Sequence, residues 1–501
     1  MSPVPRLLCF LLAASAAFAG ENDWFVPLGL PPVASPKRIS GGESFPPLPL
    51  PATPLRRSER KREPAPPKLA GKVIWGESAT YTYANGLSAP VADWNLCPAD
   101  LQQLLRKAGG TLAQPYTLDT VSLASFDPDP VAMPLLFFSG SRTLRLPDDQ
   151  LAKLRDFVLR GGTLLCDSVA GSPYFTDSVR TVMQKAFPDS PFRLLPPDHP
   201  VYQIVYPIDK VAFPKNRTSQ EPRLEAIYIG SRAAVILSPF GLGTGWDDHD
   251  VPLLPQAVFY DVKSASQIGV NLIAYVIGYA EAGREEGKPE LFGARDQRDP
   301  TDEFVFAQIR HEGAWNAHPG AAAALLRRLR SGTALRASLK RAPVDPGKDD
   351  LSGTPFLFLS GLDDFRFGDE AAAALRRFLA GSGTLVINNA LGLKTFDAAV
   401  RRELKRLLPE AAFETLPADH PVYRAAFTVG TSGFSPEAAA VSKSSVPILE
   451  GIAVGGELRV IYSPIDLEAG WLGCPYPAAK TYEAAVAMPM GVNLVLYAMT
   501  H

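Results

Sequence analysis

The chain has 501 residues, 46% of them hydrophobic and 20% charged, which is enough to bury more than one core. A formal net charge of −2 excludes a global electrostatic case for nucleic acid or an anionic membrane as partner. Four cysteines at scattered positions, without C-x-x-C spacing, exclude a disulfide framework and a cysteine-built zinc site.

At the N-terminus, Arg6 precedes an apolar run over residues 7–18, and Ala17-Phe18-Ala19 places small residues where signal peptidase acts. Residues 1–19 are therefore expected to be a signal peptide cleaved after Ala19. The run is too short to span a bilayer comfortably, so no transmembrane span is expected after cleavage. The protein is expected to be exported, to the periplasm or the extracellular space. Residues 20–70 are proline-rich and carry the basic run RRSERKRE over 56–63. Without apolar periodicity they read as a disordered linker, its basic run solvated or touching an anionic surface.

The remainder is a repeat. Residues 135–167 read LLFFSGSRTLRLPDDQLAKLRDFVLRGGTLLCD, and residues 356–388 return as FLFLSGLDDFRFGDEAAAALRRFLAGSGTLVIN without a gap. Each copy holds an apolar run ending in Ser-Gly, an acidic helix start, an amphipathic helix, a glycine turn and a second apolar run. In the first copy Leu151, Leu154, Phe157 and Val158 fall on one helical face, and in the second Ala372, Leu375, Phe378 and Leu379 do the same. Short apolar runs joined through helices predict a parallel sheet covered on both faces. The pattern extends to a first domain over 71–281 and a second over 302–501, with a linker at 282–301. Two similar domains in one chain suggest that they pack on each other, about a pseudo-twofold axis.

Further matched positions follow in both copies. Trp94-Asn95 and Trp315-Asn316 precede a helix that opens with proline nearby, at Pro98 and Pro319. F-x-x-L-P-x-D-H-P-V-Y brings Asp198-His199 and Asp419-His420. S-P-x-x-L-x-x-G-W ends at Trp246 and Trp471, and G-V-N places Asn271 and Asn493 in the last helices. As a set, these motifs resemble a bacterial domain family of unknown function found in envelope and exported proteins. The fold of that family is similar to class I glutamine amidotransferase-like and trehalose-utilisation-like domains. The resemblance implies two tandem three-layer α/β/α domains, flavodoxin-like, with mainly parallel sheets, and implies no established activity. The first copy departs from it with Gly241 where the second has Asp466.

Several residue sets could carry chemistry. Amidotransferases need a cysteine in a sharp turn after a strand, and the corresponding strand ends here are Cys166-Asp167-Ser168 and Ile387-Asn388-Asn389, without a G-x-C-x-G elbow. Asp198, His199 and His420 could serve a hydrolytic site, or the histidines could pack and bond backbone beside a proline turn. Asp167 with His249, in the acidic stretch 247–250, could ligate a metal, or that stretch could be a solvated loop. Ser139, Gly140, Ser360 and Gly361 lie at the carboxyl ends of predicted parallel strands, where open sheets bind ligands, and Trp94, Asn95, Trp315 and Asn316 should reach the same edge. Together they read either as a pocket with an aromatic wall or as turn, cap and core. No phosphate loop, dinucleotide fingerprint or H-E-x-x-H occurs, so no cofactor is expected. The reading is a non-catalytic module binding a small molecule or an envelope protein. The alternative is a hydrolase, possibly metal-assisted, active in the first domain and degenerate in the second.

Overall fold

The computed structural model describes residues 20–28, 66–214, 217–247, 256–293 and 303–501. Each repeat builds a seven-stranded sheet. In the first the spatial order is Thr117–Val121, Lys68–Val73, Leu135–Gly140, Thr163–Ser168, Arg232–Ser238, Glu225–Ile229 and Arg193–Leu194. The first five strands are parallel and the last two are antiparallel additions. The second sheet repeats the order with Ala342–Val344, Ala307–Ile309, Phe356–Gly361, Thr384–Asn389, Glu457–Ser463, Glu450–Val454 and Glu414–Thr415.

Helices cover both faces of each sheet, giving three layers. In the first repeat Asp100–Thr111 and Val262–Gly278 pack on one face, Asp148–Leu159 and Pro173–Ala186 on the other. The second repeat uses Ala321–Gly332 and Ala484–Thr500 against Asp369–Ala380 and Lys394–Leu407. The helix Asp148–Leu159 illustrates why these sequences fold this way. Asp148 and Asp149 stand in its first turn, where negative charge offsets unpaired amides, and Leu151, Leu154, Phe157 and Val158 are buried at helical spacing. The central strands are buried along their whole length, which explains their continuous rather than alternating apolar pattern. The extra residues of the first repeat form a hairpin, Ser78–Thr82 with Ser88–Ala92, that the second repeat lacks.

Three expectations about the connections need correction. Gly20 to Leu28 do not belong to a free tether: Glu21–Trp24 forms a short 3-10 turn, and Trp24 and Leu28 are buried against Val91, Leu96, Cys97, Val169 and Ala170 of the first domain. The linker expected at 282–301 begins inside a helix, Ala280–Glu286, whose last residue is buried. Residues 29–65 and 294–302, and residues 1–19 expected as a signal peptide, lie outside the described residues.

The third correction concerns the packing of the domains. They do pack on each other, but not about a twofold axis, which would require the same pairs twice. Arg193 of the first repeat meets Asp363 at 3.1 Å and the Glu312 carbonyl, the Lys394 amide donates to Asp198 at 2.9 Å, and the Tyr279 hydroxyl donates to the Pro477 carbonyl at 3.0 Å. The residue matching Asp363 in the first repeat is Arg142, and it pairs instead with Asp93 in its own domain. The first repeat thus seats its antiparallel flank and strand starts on the carboxyl sheet edge of the second. This is a head-to-tail contact between unlike surfaces.

Candidate functional site at the sheet edges

The carboxyl ends of the parallel strands are where an open α/β sheet offers a ligand site, because loops diverge there and leave a crevice. In both repeats this edge is filled from within. The Trp75 indole donates to the Ser139 carbonyl at 3.0 Å, and at the matching place His311 Nε2 bonds the Ser360 carbonyl at 2.8 Å. Burial pushes His311 down to about 4, so it is a neutral ring at physiological pH. Each ring lies so close to the strand end that a side chain has no room. A Cβ on Gly140 would stand 2.1 Å from the Trp75 ring, and one on Gly361 would stand 2.7 Å from the His311 ring. The paired Ser-Gly motif therefore serves this close approach, and Ser139, Gly140, Ser360 and Gly361 are all buried.

In the second repeat the edge holds a continuous chain of fully buried polar groups. It starts at Ser360, whose hydroxyl donates to Glu468. Asn388 Nδ2 then bridges Glu468 at 3.1 Å and Asp466 at 2.9 Å. Asp466 accepts from His318 Nε2 at 2.8 Å and from the Leu391 amide at 2.8 Å. The other ring nitrogen of His318 faces Glu286 at 3.0 Å, and the Tyr476 hydroxyl meets the same carboxylate at 2.8 Å. Glu286 comes from the first repeat and is fixed at a turn by the Ser231 amide and hydroxyl at 3.0 and 2.7 Å. Burial alone would lower the His318 pKa, but Asp466 and Glu286 override it and hold the ring well above its ordinary value. Burial raises Glu468 to about 7, partly opposed by His318. The ring is thus a cation clamped between carboxylates of two domains.

The first repeat builds its edge from different charges. The Asp167 carboxylate accepts from the Leu242 and Gly243 amides at 2.7 and 2.9 Å, as Asn388 accepts from Leu467 at 2.8 Å. Gly241, Gly243 and Cys97 stand where the second repeat has Asp466, Glu468 and His318. In compensation Lys72 pairs with Asp100 at 2.8 Å, both sealed from solvent. Burial raises Asp167 to about 7, and the nearby Asp100 adds to it while the two amide bonds and Lys72 oppose it. Cys166 is buried with its thiol pushed up by burial, which leaves no thiolate for amidotransferase-like chemistry.

The remaining candidates separate in space. His199 and His420 each accept a bond at Nδ1 from the amide two residues on, at 3.2 Å, and so cap their own 3-10 turns. His199 is fully buried and burial lowers it to about 3. Asp198 bonds the second domain rather than orienting His199. Neither His199 nor Asp198 has Asp167 among its hydrogen-bond partners. His249 lies outside the described residues, and no group of three or more metal-ligating side chains is found among the described ones. The Asn271 and Asn493 amides hold the loops at Tyr206 and Phe427 by paired backbone bonds, and Trp246 and Trp471 bury their rings while donating to Ala265 and Ala487.

Trp315 and Asn316 do line an open space. A cleft of about 590 Å³ runs between the domains, with Trp315, Asn316, Phe292 and Glu312 on one side and Arg193 and Lys288 among its charged groups. Arg341 lies 5.4 Å from the centre of both the Trp315 and Phe292 rings and is pinned by Glu290 and Asn316, which fixes the aromatic wall. Trp94 instead packs at the margin of the first core. A larger hollow, about 880 Å³, lies along the helix Asp369–Ala380 of the second repeat, under residues 346–354.

Sequence reasoning singles out Ser360, Trp315, Asn316 and Asp167 as candidates but not His318, Glu468, Glu286 or Tyr476. The available signal was the substitution of Cys97 by His318 inside otherwise matched Trp-Asn-x-x-Pro segments, together with two acidic residues replacing glycines.

Among the described residues no helix is long and apolar enough to cross a membrane. No curated protein matches the chain. A family does: the domain of unknown function DUF4159 matches twice, over residues 82–277 and 305–499. These spans contain the second sheet and all of the first except its strand Lys68–Val73, and together they cover most of the sequence, so the chain belongs to the DUF4159 family and carries two tandem copies of its domain.

Proposed function

We propose that the protein is an exported, non-catalytic binding module of the cell envelope, and that its ligand enters the cleft between the two repeats. The observation that carries this reading is a contrast in access. Asp167, His199, His318 and Glu468 are sealed, and the part-exposed Asp198 and His420 are taken up by the domain contact and a local turn, while Trp315 and Asn316 remain partly exposed on the cleft wall. A hydrolase must bring water and substrate to its acid and base, and groups without solvent contact cannot do so without a large rearrangement. Binding needs only a concave surface with an aromatic wall and a few fixed polar groups, which the cleft supplies. Export rests on the apolar N-terminal run and the small residues at 17–19.

The test is a thermal-shift survey of the chain from Gly20 onward against a library of carboxylates, amino acids, peptides and saccharides, with generic ester and phosphoester substrates run in parallel. The expected result is a stabilising compound whose effect is lost in Trp315→Ala, and no turnover. Turnover that Trp315→Ala leaves intact and Asp167→Asn removes would replace this reading with the hydrolase.

A further inference from the structure

The head-to-tail contact has two outer faces as well as the inner one. The carboxyl edge of the first sheet matches the surface on which the second repeat receives the first. In this chain it is occupied by Gly20 to Leu28. The Thr143 amide donates to Glu21 at 2.7 Å, Arg142 donates to Asn22 at 3.3 Å and lies 4.3 Å from the centre of the Phe25 ring, and the Leu28 amide donates to the Leu96 carbonyl at 2.8 Å. Val169, Ala170, Leu96 and Cys97, which bury Trp24 and Leu28, match Ala390, Leu391, Ala317 and His318. All four of those residues are buried in the domain contact, three of them in the apolar core that the two repeats share.

At the opposite end, the second repeat presents a face equivalent to the one the first repeat uses for docking. One charged pair at its rim is complementary to the covered edge. Inside the chain Arg193 meets Asp363; at the outer ends Glu414 stands in the place of Arg193 and Arg142 in the place of Asp363. The pair is reversed in sign and remains attractive. Arg142 keeps Asp93 through Nε and Nη2, so release of Asn22 frees Nη1 for a new acceptor. Other inner contacts have no outer equivalent: Pro173 stands where Lys394 donates its amide, Cys97 where His318 meets Glu286, and His501 where the Tyr279 hydroxyl donates to Pro477.

We propose that the N-terminal segment is a removable stop on a repeat stack: it covers the first repeat's edge, and its displacement lets the second repeat of another copy dock there with Glu414 facing Arg142. Unlike surfaces that meet head-to-tail leave one of each free after every addition, so an uncovered chain adds further copies, as an open stack or until a ring closes. The stop works in cis because a segment on the same chain competes at high effective concentration.

The test uses the chain from Gly20 onward and two ways of opening the segment. Trp24→Ala with Leu28→Ala removes the buried anchors. Glu21→Lys keeps them and places a cation beside Arg142 and Arg145, both of which now favour the Glu21 carboxylate. Light scattering over a concentration series reads the mass. Both opened variants are expected to grow with concentration beyond the parent mass, and Glu414→Arg added to either is expected to return them to it. A peptide of residues 20–28 should compete with the association. The proposal is overturned if Glu21→Lys retains the parent's thermal transition and its mass at every concentration, or if Glu414→Arg leaves the association unchanged.

Discussion

Replacing His318 by alanine removes a cation that joins two buried carboxylates from different domains. The ring is fully buried and bonds Asp466 at 2.8 Å and Glu286 at 3.0 Å. Charge-assisted bonds of this kind contribute about 1.5–3 kcal/mol each, and breaking a buried pair from one side costs about 3–5 kcal/mol because the partner charges stay behind. The expected loss for His318→Ala is therefore about 3–5 kcal/mol, a large share of the stability of an ordinary domain. Urea unfolding at neutral pH, followed by far-ultraviolet circular dichroism and tryptophan fluorescence, measures it. A cycle with Glu286→Gln separates the cross-domain bond from the bond to Asp466 and should show coupling of about 0.5–3 kcal/mol. His420→Ala is the control, since it deletes one local acceptor bond and a ring contact with Tyr497 but no ion pair, and should cost about 0.5–1.5 kcal/mol. The pH dependence has a definite sign. The folded pKa of His318 lies above the ordinary value of 6.5, so its stabilisation is complete below about 6.5 and is lost as pH rises through the folded value. A loss under about 1 kcal/mol, or no coupling to Glu286, would refute the clamp.

Other expectations follow from the same geometry. Asp167 is raised from 3.8 to about 7, so the wild-type contribution is full below about 3.8 and falls away as pH rises to about 7; Asp167→Asn should flatten that fall, read as melting temperature against pH. Glu468→Gln should flatten the profile between about 4.5 and 7 in the same sense. Gly140→Ala forces a Cβ into the Trp75 ring and is expected to destabilise by about 1–3 kcal/mol in chemical denaturation, with Trp75→Ala in the same chain relieving the clash.

The sequence pattern carried the architecture because the architecture depends on periodicity, and periodicity is local. The runs at 135–140 and 163–168 are apolar at every position because both sheet faces are covered, and the acidic start at Asp148 marks the helix between them. The same locality hid the site. His318 gains its role from Asp466 and from Glu286, which lie far away in the chain, and Glu286 sits in a stretch whose composition reads as linker. Asp198 and His199 are neighbours in sequence but turn to different partners, one to the next domain and one to its own turn. The N-terminal segment was misread for a similar reason. Its aromatic residues Trp24 and Phe25 carry the contact, whereas the prolines that dominate the composition lie mostly beyond it.

The central claim is that the protein binds in the cleft and does not catalyse at its sealed edges. The most direct measurement is the ligand survey on the wild type and Trp315→Ala, with turnover assayed on the same samples. A compound that raises the melting temperature of the wild type and not of Trp315→Ala, without turnover in either, is the predicted result. Turnover that persists in Trp315→Ala and disappears in Asp167→Asn would contradict it.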